Sequence, residues 1–144
     1  MITPLEFLKA HIGIEVTASP SPFMNWLKPK MVLVEEGRLI FQYVIRQEMT
    51  NPFHILHGGI TAAIIDDAMG ATLICYNEPF NYVTINNVVD YFASAKEGDI
   101  ILAETFINKK GNTIVNIQCE VWNEDRSRKI VKGYSNLLKT EPKK

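Results

Sequence analysis

The stretch HGGITAAIIDDAMG, residues 57–70, limits what this chain can fold into more than any other segment. Ile60, Ala62, Ala63, Ile64, Ile65, Ala68 and Met69 make it apolar on nearly every side. A helix of that kind must be enclosed by the rest of the chain. Yet Asp66 and Asp67 stand together near its middle. An unpaired buried carboxylate costs several kcal/mol, so acids in such places are rare unless something uses or compensates them.

The flanking sequence supplies the enclosure. Thr3-Pro4-Leu5-Glu6 predicts a short helix over about 3–12, with Thr3 as cap, Pro4 at the first position and Glu6 closing a capping box. Residues 18–30 hold Pro20, Pro22 and Pro29 and read as a loop. Phe23, Met24, Trp26 and Leu27 within it are apolar enough to cover a core edge rather than line a ligand mouth. Two short strands are expected at 31–35 and 38–45, the acid-bearing helix from 57 to about 76, and strands at 82–93, 99–110, 112–123 and 128–138. Short polar turns between the last four predict an antiparallel meander. The simplest plan is α+β: one curved antiparallel sheet wrapped around the long helix. Its edges and one helix face still need cover, which predicts an oligomer.

The 144 residues suggest a single domain, 1–144, with a real core. A formal net charge of −1 argues against general attraction to nucleic acid. No apolar run approaches a membrane span. The N-terminal residues lack the pattern of a signal peptide, so a cytoplasmic protein is expected. Cys75 and Cys119 stand in no metal or redox spacing and read as buried thiols of a reducing compartment.

Gly58 and Gly59 open the helix, where backbone N–H groups are unpaired and the helix dipole favours a negative oxygen. The site could hold the oxyanion of a carbonyl under attack. Alternatively, the glycines only allow tight helix–sheet packing. Asp66 follows Gly59 by two turns, on the same face and about 10 Å along the axis. Asp67 points about 100° away, so the two acids have different jobs. His54 and His57 are three apart, but no further ligand set accompanies them, and no metal site is read. No GxSxG, Walker or GxGxxG pattern is present.

Asn51, then His57-Gly58-Gly59, then Asp66 nine residues after the histidine, resembles the signature of hot dog fold acyl-CoA thioesterases, in the phenylacetyl-CoA thioesterase-like branch. Thr84 falls where that family places a small hydroxyl residue, and residues 90–99 resemble its next strand and turn. The resemblance covers roughly residues 30–140 and implies a long helix wrapped by five or six antiparallel strands. It also implies homodimers, often paired into homotetramers, with active sites at the dimer interface. By the same resemblance Asp66 is general base or nucleophile. Gly58, with Asn51 and His57, polarises the thioester carbonyl from the facing subunit, and Thr84 positions water. Gly59 and His54 would lie against substrate. Lys109 and Lys110 are candidates for the CoA phosphates, as are Arg126, Arg128 and Lys129, though solvated turns also explain them. No cofactor is implied, CoA being part of the substrate. One departure stands out: many family members carry glycine where this chain has His54, so the turn holding Asn51 is expected to differ. The alternative is a non-catalytic acyl-CoA or acyl-ACP binding module of the same fold. A hydratase is less apt, since the helix offers two aspartates and no glutamate.

Overall fold

The computed structural model describes residues 1–142. Helix α1 (Pro4–Lys9) starts as expected. The Thr3 hydroxyl accepts the Glu6 N–H at 3.2 Å, and the Glu6 carboxylate accepts the Thr3 N–H at 2.8 Å. It stops before residue 12, and the chain turns away through Gly13 at φ 76°. The proline-rich segment is a correction to the loop reading. Pro22–Leu27 form a second short helix, α2, with Ser21 as cap. Pro22 stands at the first helical position, where its missing N–H costs nothing.

Strands β1 (Lys30–Glu35) and β2 (Arg38–Val44) form a hairpin, followed by the long helix α3 (Gly58–Ile74). Then come β3 (Phe80–Tyr91), β4 (Ile100–Lys110), β5 (Ile114–Asn123) and β6 (Lys129–Pro142). All pair antiparallel in one six-stranded sheet of order β1-β2-β4-β5-β6-β3. The sheet wraps α3, whose Ile64, Ile65, Ala68, Met69 and Leu73 are buried against Phe41, Tyr43, Ala103, Ile117 and Cys119. This is the hot dog arrangement.

The four-strand meander does not form. Only β4, β5 and β6 follow one another in the sheet; β3 pairs with β6 and lies at the edge. The link from β3 to β4 therefore crosses from that edge to the far half of the sheet. On the way it bonds the loop before α3, Leu56 N–H donating to Ala95 O at 2.7 Å. The short polar turn at residues 96–99 ends a crossing rather than a hairpin.

Two details of the sheet position the site. A Cβ at Gly133 would lie 3.0 Å from Ile65 Cγ2, so glycine lets β6 approach α3 closely. On β3 the pairing register shifts between Thr84 and Asn86, leaving Ile85 as a bulge. The extra residue puts Thr84 and Asn87 on the same, helix-facing side, which strict alternation would forbid. Both then bond to α3: Thr84 to Asp66, and Asn87 Nδ2 to the Ala62 carbonyl at 3.2 Å.

Candidate active site

The two acids of α3 occupy different environments. Asp66 is exposed, beside the edge strand, and its Oδ1 accepts the Thr84 hydroxyl at 3.0 Å. Asp67 is the more buried of the pair. One of its carboxyl oxygens is shut off from solvent with no hydrogen-bond partner. Burial, and next the charge of Asp66, push its pKa up to about 6, against a smaller opposing effect of the Ser21 hydroxyl. Neither acid pairs with a cation among the described residues.

Both acids line a cavity of about 490 Å³ that is mostly apolar. Helix α1 supplies Phe7 and Leu8, α2 supplies Met24, and α3 supplies Ala71 and Ile74. Met24 and Leu27 are buried, as a core-edge role demands, but Met24 also forms cavity wall. The N-terminal helices thus close one side of a chamber whose charged side chains are the pair of acids.

The other predicted groups gather at the N-terminal end of α3. His57 caps the helix, its Nδ1 accepting the Gly59 N–H at 2.9 Å. That bond leaves the ring proton of a neutral imidazole on Nε2. Asn51 Oδ1 accepts from the N–H groups of Phe53 at 2.9 Å and Ile55 at 3.4 Å. Its Nδ2 is therefore the end left to donate. The Gly58 N–H belongs to the first helical turn and has no intrahelical acceptor. Asn51 and Gly58 line a second cavity, about 210 Å³, with Tyr91 and Ser94. A Cβ at Gly58 would make only ordinary contact with Tyr91, and one at Gly59 would crowd only the His57 ring. Packing against the sheet thus explains neither glycine.

His54 takes a left-handed backbone conformation, φ 62°, so the turn keeps a shape in which glycine is at ease. The side chain is exposed, and the turn still delivers Asn51 to the second cavity. Of the basic candidates, Lys110 is held by Glu78 and lies over the Tyr76 ring, Arg126 is bonded to Glu104, and Lys129 to Glu120. Lys109 is exposed near the β4–β5 turn. Arg128 reaches the Ser94 carbonyl at 3.2 Å, at the wall of the second cavity. Two groups were not foreseen. The Tyr91 hydroxyl donates to the Gly58 carbonyl at 2.6 Å, fixing the first turn of α3. Asn87 secures the turn that carries Asp66. The non-alternating run Val83-Thr84-Ile85-Asn86-Asn87 was the available signal for the bulge that places it.

The structure therefore brings Asp66 to Thr84, and Asn51 to the Gly58 end of α3 that His57 caps, but leaves these two groups apart. Gly58 and Asp66 are eight residues apart in one helix, about 12 Å along its axis.

The chain matches the model of the thioesterase superfamily over residues 53–130. Human acyl-coenzyme A thioesterase 13 is 26% identical over 106 residues, which is 74% of this chain and 76% of that protein. A Streptococcus mutans protein solved with bound acetyl CoA superposes with a TM-score of 0.73 at 24% identity, covering 81% of this chain and 91% of its own. The E. coli PaaI protein from the phenylacetic acid degradation operon superposes with a TM-score of 0.77 at 15% identity, over 85% of this chain and 87% of its own.

Proposed function

Because the chain belongs to the thioesterase superfamily, we propose that it hydrolyses acyl-CoA thioesters to the free acid and CoA. The observation that carries this reading is the Asp66–Thr84 pair at an apolar cavity large enough for an acyl group. Asp66 takes the proton of a water held by the Thr84 hydroxyl, and the water oxygen adds to the thioester carbon. Asn51 Nδ2, His57 Nε2–H and the Gly58 N–H stabilise the oxyanion. Collapse of the tetrahedral intermediate breaks the C–S bond, and the proton held by Asp66 goes to the departing thiolate. The same carboxylate could attack directly as nucleophile; water then releases the acid from the mixed anhydride. A base, oxyanion donors and a held water suffice, so the reaction needs no cofactor.

One carbonyl cannot sit within hydrogen-bond reach of both groups of a single chain. The proposed site is therefore shared, Asp66 and Thr84 from one subunit and Asn51, His57 and Gly58 from its partner. The edge strand β3 supports this. Twelve residues long, it has no neighbour on one side among the described strands, and Val83 and Ile85 are each 53% exposed. A bare apolar edge is a template for a second strand. Homodimers joined at β3, paired into tetramers or not, would cover it. Arg128, beside the oxyanion half, and Lys109 are the basic side chains best placed for CoA phosphates. The reading takes the chain as one cytoplasmic domain; no described helix is long and apolar enough to cross a membrane.

The test is free-thiol release from a panel of acyl-CoAs, with Asp66→Ala beside the wild type. Turnover lost in the variant is expected. Binding without turnover on any thioester would favour the binding-module alternative. Light scattering should give a dimer or larger; a monomer at micromolar concentration would sink the shared site.

A further inference from the structure

The proposed reaction draws one oxyanion donor from His57 Nε2–H, and two hydrogen bonds in series stand behind that ring. The Tyr91 hydroxyl, at the end of β3, donates to the Gly58 carbonyl at 2.6 Å. That carbonyl shares a peptide unit with the Gly59 N–H, which donates to His57 Nδ1 at 2.9 Å. Local packing does not demand this series. Tyr91 is 52% exposed, so water could satisfy its hydroxyl. Nor does the helix start depend on it. The His57 carbonyl already accepts the Thr61 N–H at 3.0 Å and the Thr61 hydroxyl at 3.1 Å, and the His57 ring caps the turn. The glycine at 59 belongs to the same series. A Cβ there would lie 3.1 Å from His57 Nδ1 and 3.2 Å from Cε1, crowding the ring at the nitrogen that accepts.

A hydroxyl that donates to a peptide carbonyl polarises the whole unit and makes its N–H a stronger donor, so bonds in series reinforce one another. Here the strengthened donor is the Gly59 N–H, and its acceptor is Nδ1. A neutral imidazole carries its proton on either nitrogen, and the bond made at one nitrogen decides the other. Holding Nδ1 as acceptor keeps the proton on Nε2. It also draws electron density toward Nδ1, which makes Nε2–H the better donor. We propose that Tyr91 is a positioning residue: through the Gly58–Gly59 peptide it fixes His57 in the tautomer and orientation that present Nε2–H to the thioester carbonyl. This rests on the acyl-CoA reading above. Tyr91 needs no contact with the reacting atoms, because its effect reaches them through the ring.

Tyr91→Phe removes the one hydroxyl. In thiol release its kcat should fall about tenfold, a part of the roughly 10²- to 10³-fold that a whole oxyanion donor supplies, with KM within about twofold. His57→Ser keeps a capping side chain and removes the ring, so in that background Tyr91→Phe should cost less than about twofold. A tenfold loss in both backgrounds, no loss in the wild-type background, or a tenfold rise in KM at constant kcat would overturn the proposal. The tautomer is read separately, without substrate. Nitrogen-15 NMR of histidine-labelled protein near pH 8, with His57 assigned by the signals absent from His57→Ser, should give the Nε2–H form in wild type and a mixture in Tyr91→Phe. An unchanged tautomer in Tyr91→Phe would overturn the proposal whatever the rates, and decides the matter if His57→Ser is too slow to assay. The two measurements keep this role apart from the reading it rests on. Turnover with an unchanged tautomer sinks only the role of Tyr91, whereas a changed tautomer with no turnover on any thioester sinks the acyl-CoA reading and this role with it.

Discussion

The two ends of α3 solve opposite problems. At the N-terminal end the polar groups are backbone and side chains that bond to their own loop, His57 to Gly59 and Asn51 to Phe53 and Ile55, with Tyr91 of β3 bonded to the Gly58 carbonyl. Every one of those bonds is short-range or anchors the helix start, and those of His57 and Asn51 each leave a donor unused, Nε2–H and Nδ2. Two turns further on, the chemistry is a side-chain pair across two elements, Asp66 on α3 and Thr84 on β3, over an apolar chamber. The first end offers donors without a base, the second a base without donors. On the proposed reading, a chain that carries both halves of a site on one helix, too far apart to meet, becomes competent when a second copy brings them together.

Subunit mixing is the sharpest way to break that comparison. Asp66→Ala should lose about 10²- to 10⁴-fold in kcat, the usual worth of a general base. Its melting temperature should hardly change, since Asp66 is exposed and bonded only to Thr84. Asn51→Ala should lose about 10²-fold through the missing oxyanion donor. Unfolded and refolded together, equal amounts of the two inactive variants should regain roughly a quarter of wild-type activity, because half the dimers are mixed and each has one intact site. If the mixture stays dead while each variant folds and dimerises, both halves act within one subunit.

Asp66 and Asp67 sharpen the comparison from the side of pH. A raised carboxyl pKa means the folded chain holds its proton more tightly than the unfolded chain. Stability from this group is therefore intact below about pH 4 and falls as pH rises from the ordinary aspartate value to about 6, staying lower above that. The shift from 3.8 to about 6 corresponds to at most about 3 kcal/mol. Asp67→Asn should then stabilise the protein by about 1–3 kcal/mol near pH 8 and change it little near pH 4. Urea melts at the two pH values measure this. An equal effect at both would mean that Asp67 is solvated in the folded state.

Thr84→Val leaves Asp66 in place and removes only the hydroxyl that steadies it and holds the water. A loss of about tenfold in kcat is expected, with KM little changed, and progress curves on one good substrate suffice to see it. A tenfold rise in KM with constant kcat would make Thr84 a binding residue instead.

The long helix and the cap of α1 were readable because local chemistry dictates them. Thr3 with Glu6, and the apolar run after His57, need no tertiary context. The order of the sheet was not readable, because β3 and β4 look like consecutive hairpin strands until the loop before α3 claims the link between them through Ala95. Helix α2 was hidden by its prolines, since one residue type both breaks and begins helices. Within the candidate site, Asp66 was singled out by its spacing on the helix and Thr84 by the family resemblance, but the exposure of neither was legible. A helix apolar on all sides suggests burial all round, and the structure instead leaves open the strip beside the β3 edge. Nor does sequence show that Asp67, one residue on, is the acid with a buried oxygen that lacks a hydrogen-bond partner.

The smallest expected effect concerns the turn that delivers Asn51. His54 holds φ 62°, a conformation that costs an ordinary side chain about 1–2 kcal/mol and histidine somewhat less. Glycine would relieve that cost but would make the unfolded chain more flexible, an opposing effect of about 0.4–1 kcal/mol. His54→Gly should therefore stabilise the protein by roughly half a kcal/mol, visible as a small rise in the urea midpoint. Turnover should stay within about twofold, because the Asn51 bonds to Phe53 and Ile55 use backbone N–H groups that glycine at 54 leaves in place. A large fall in kcat with unchanged stability would show instead that the His54 ring touches substrate.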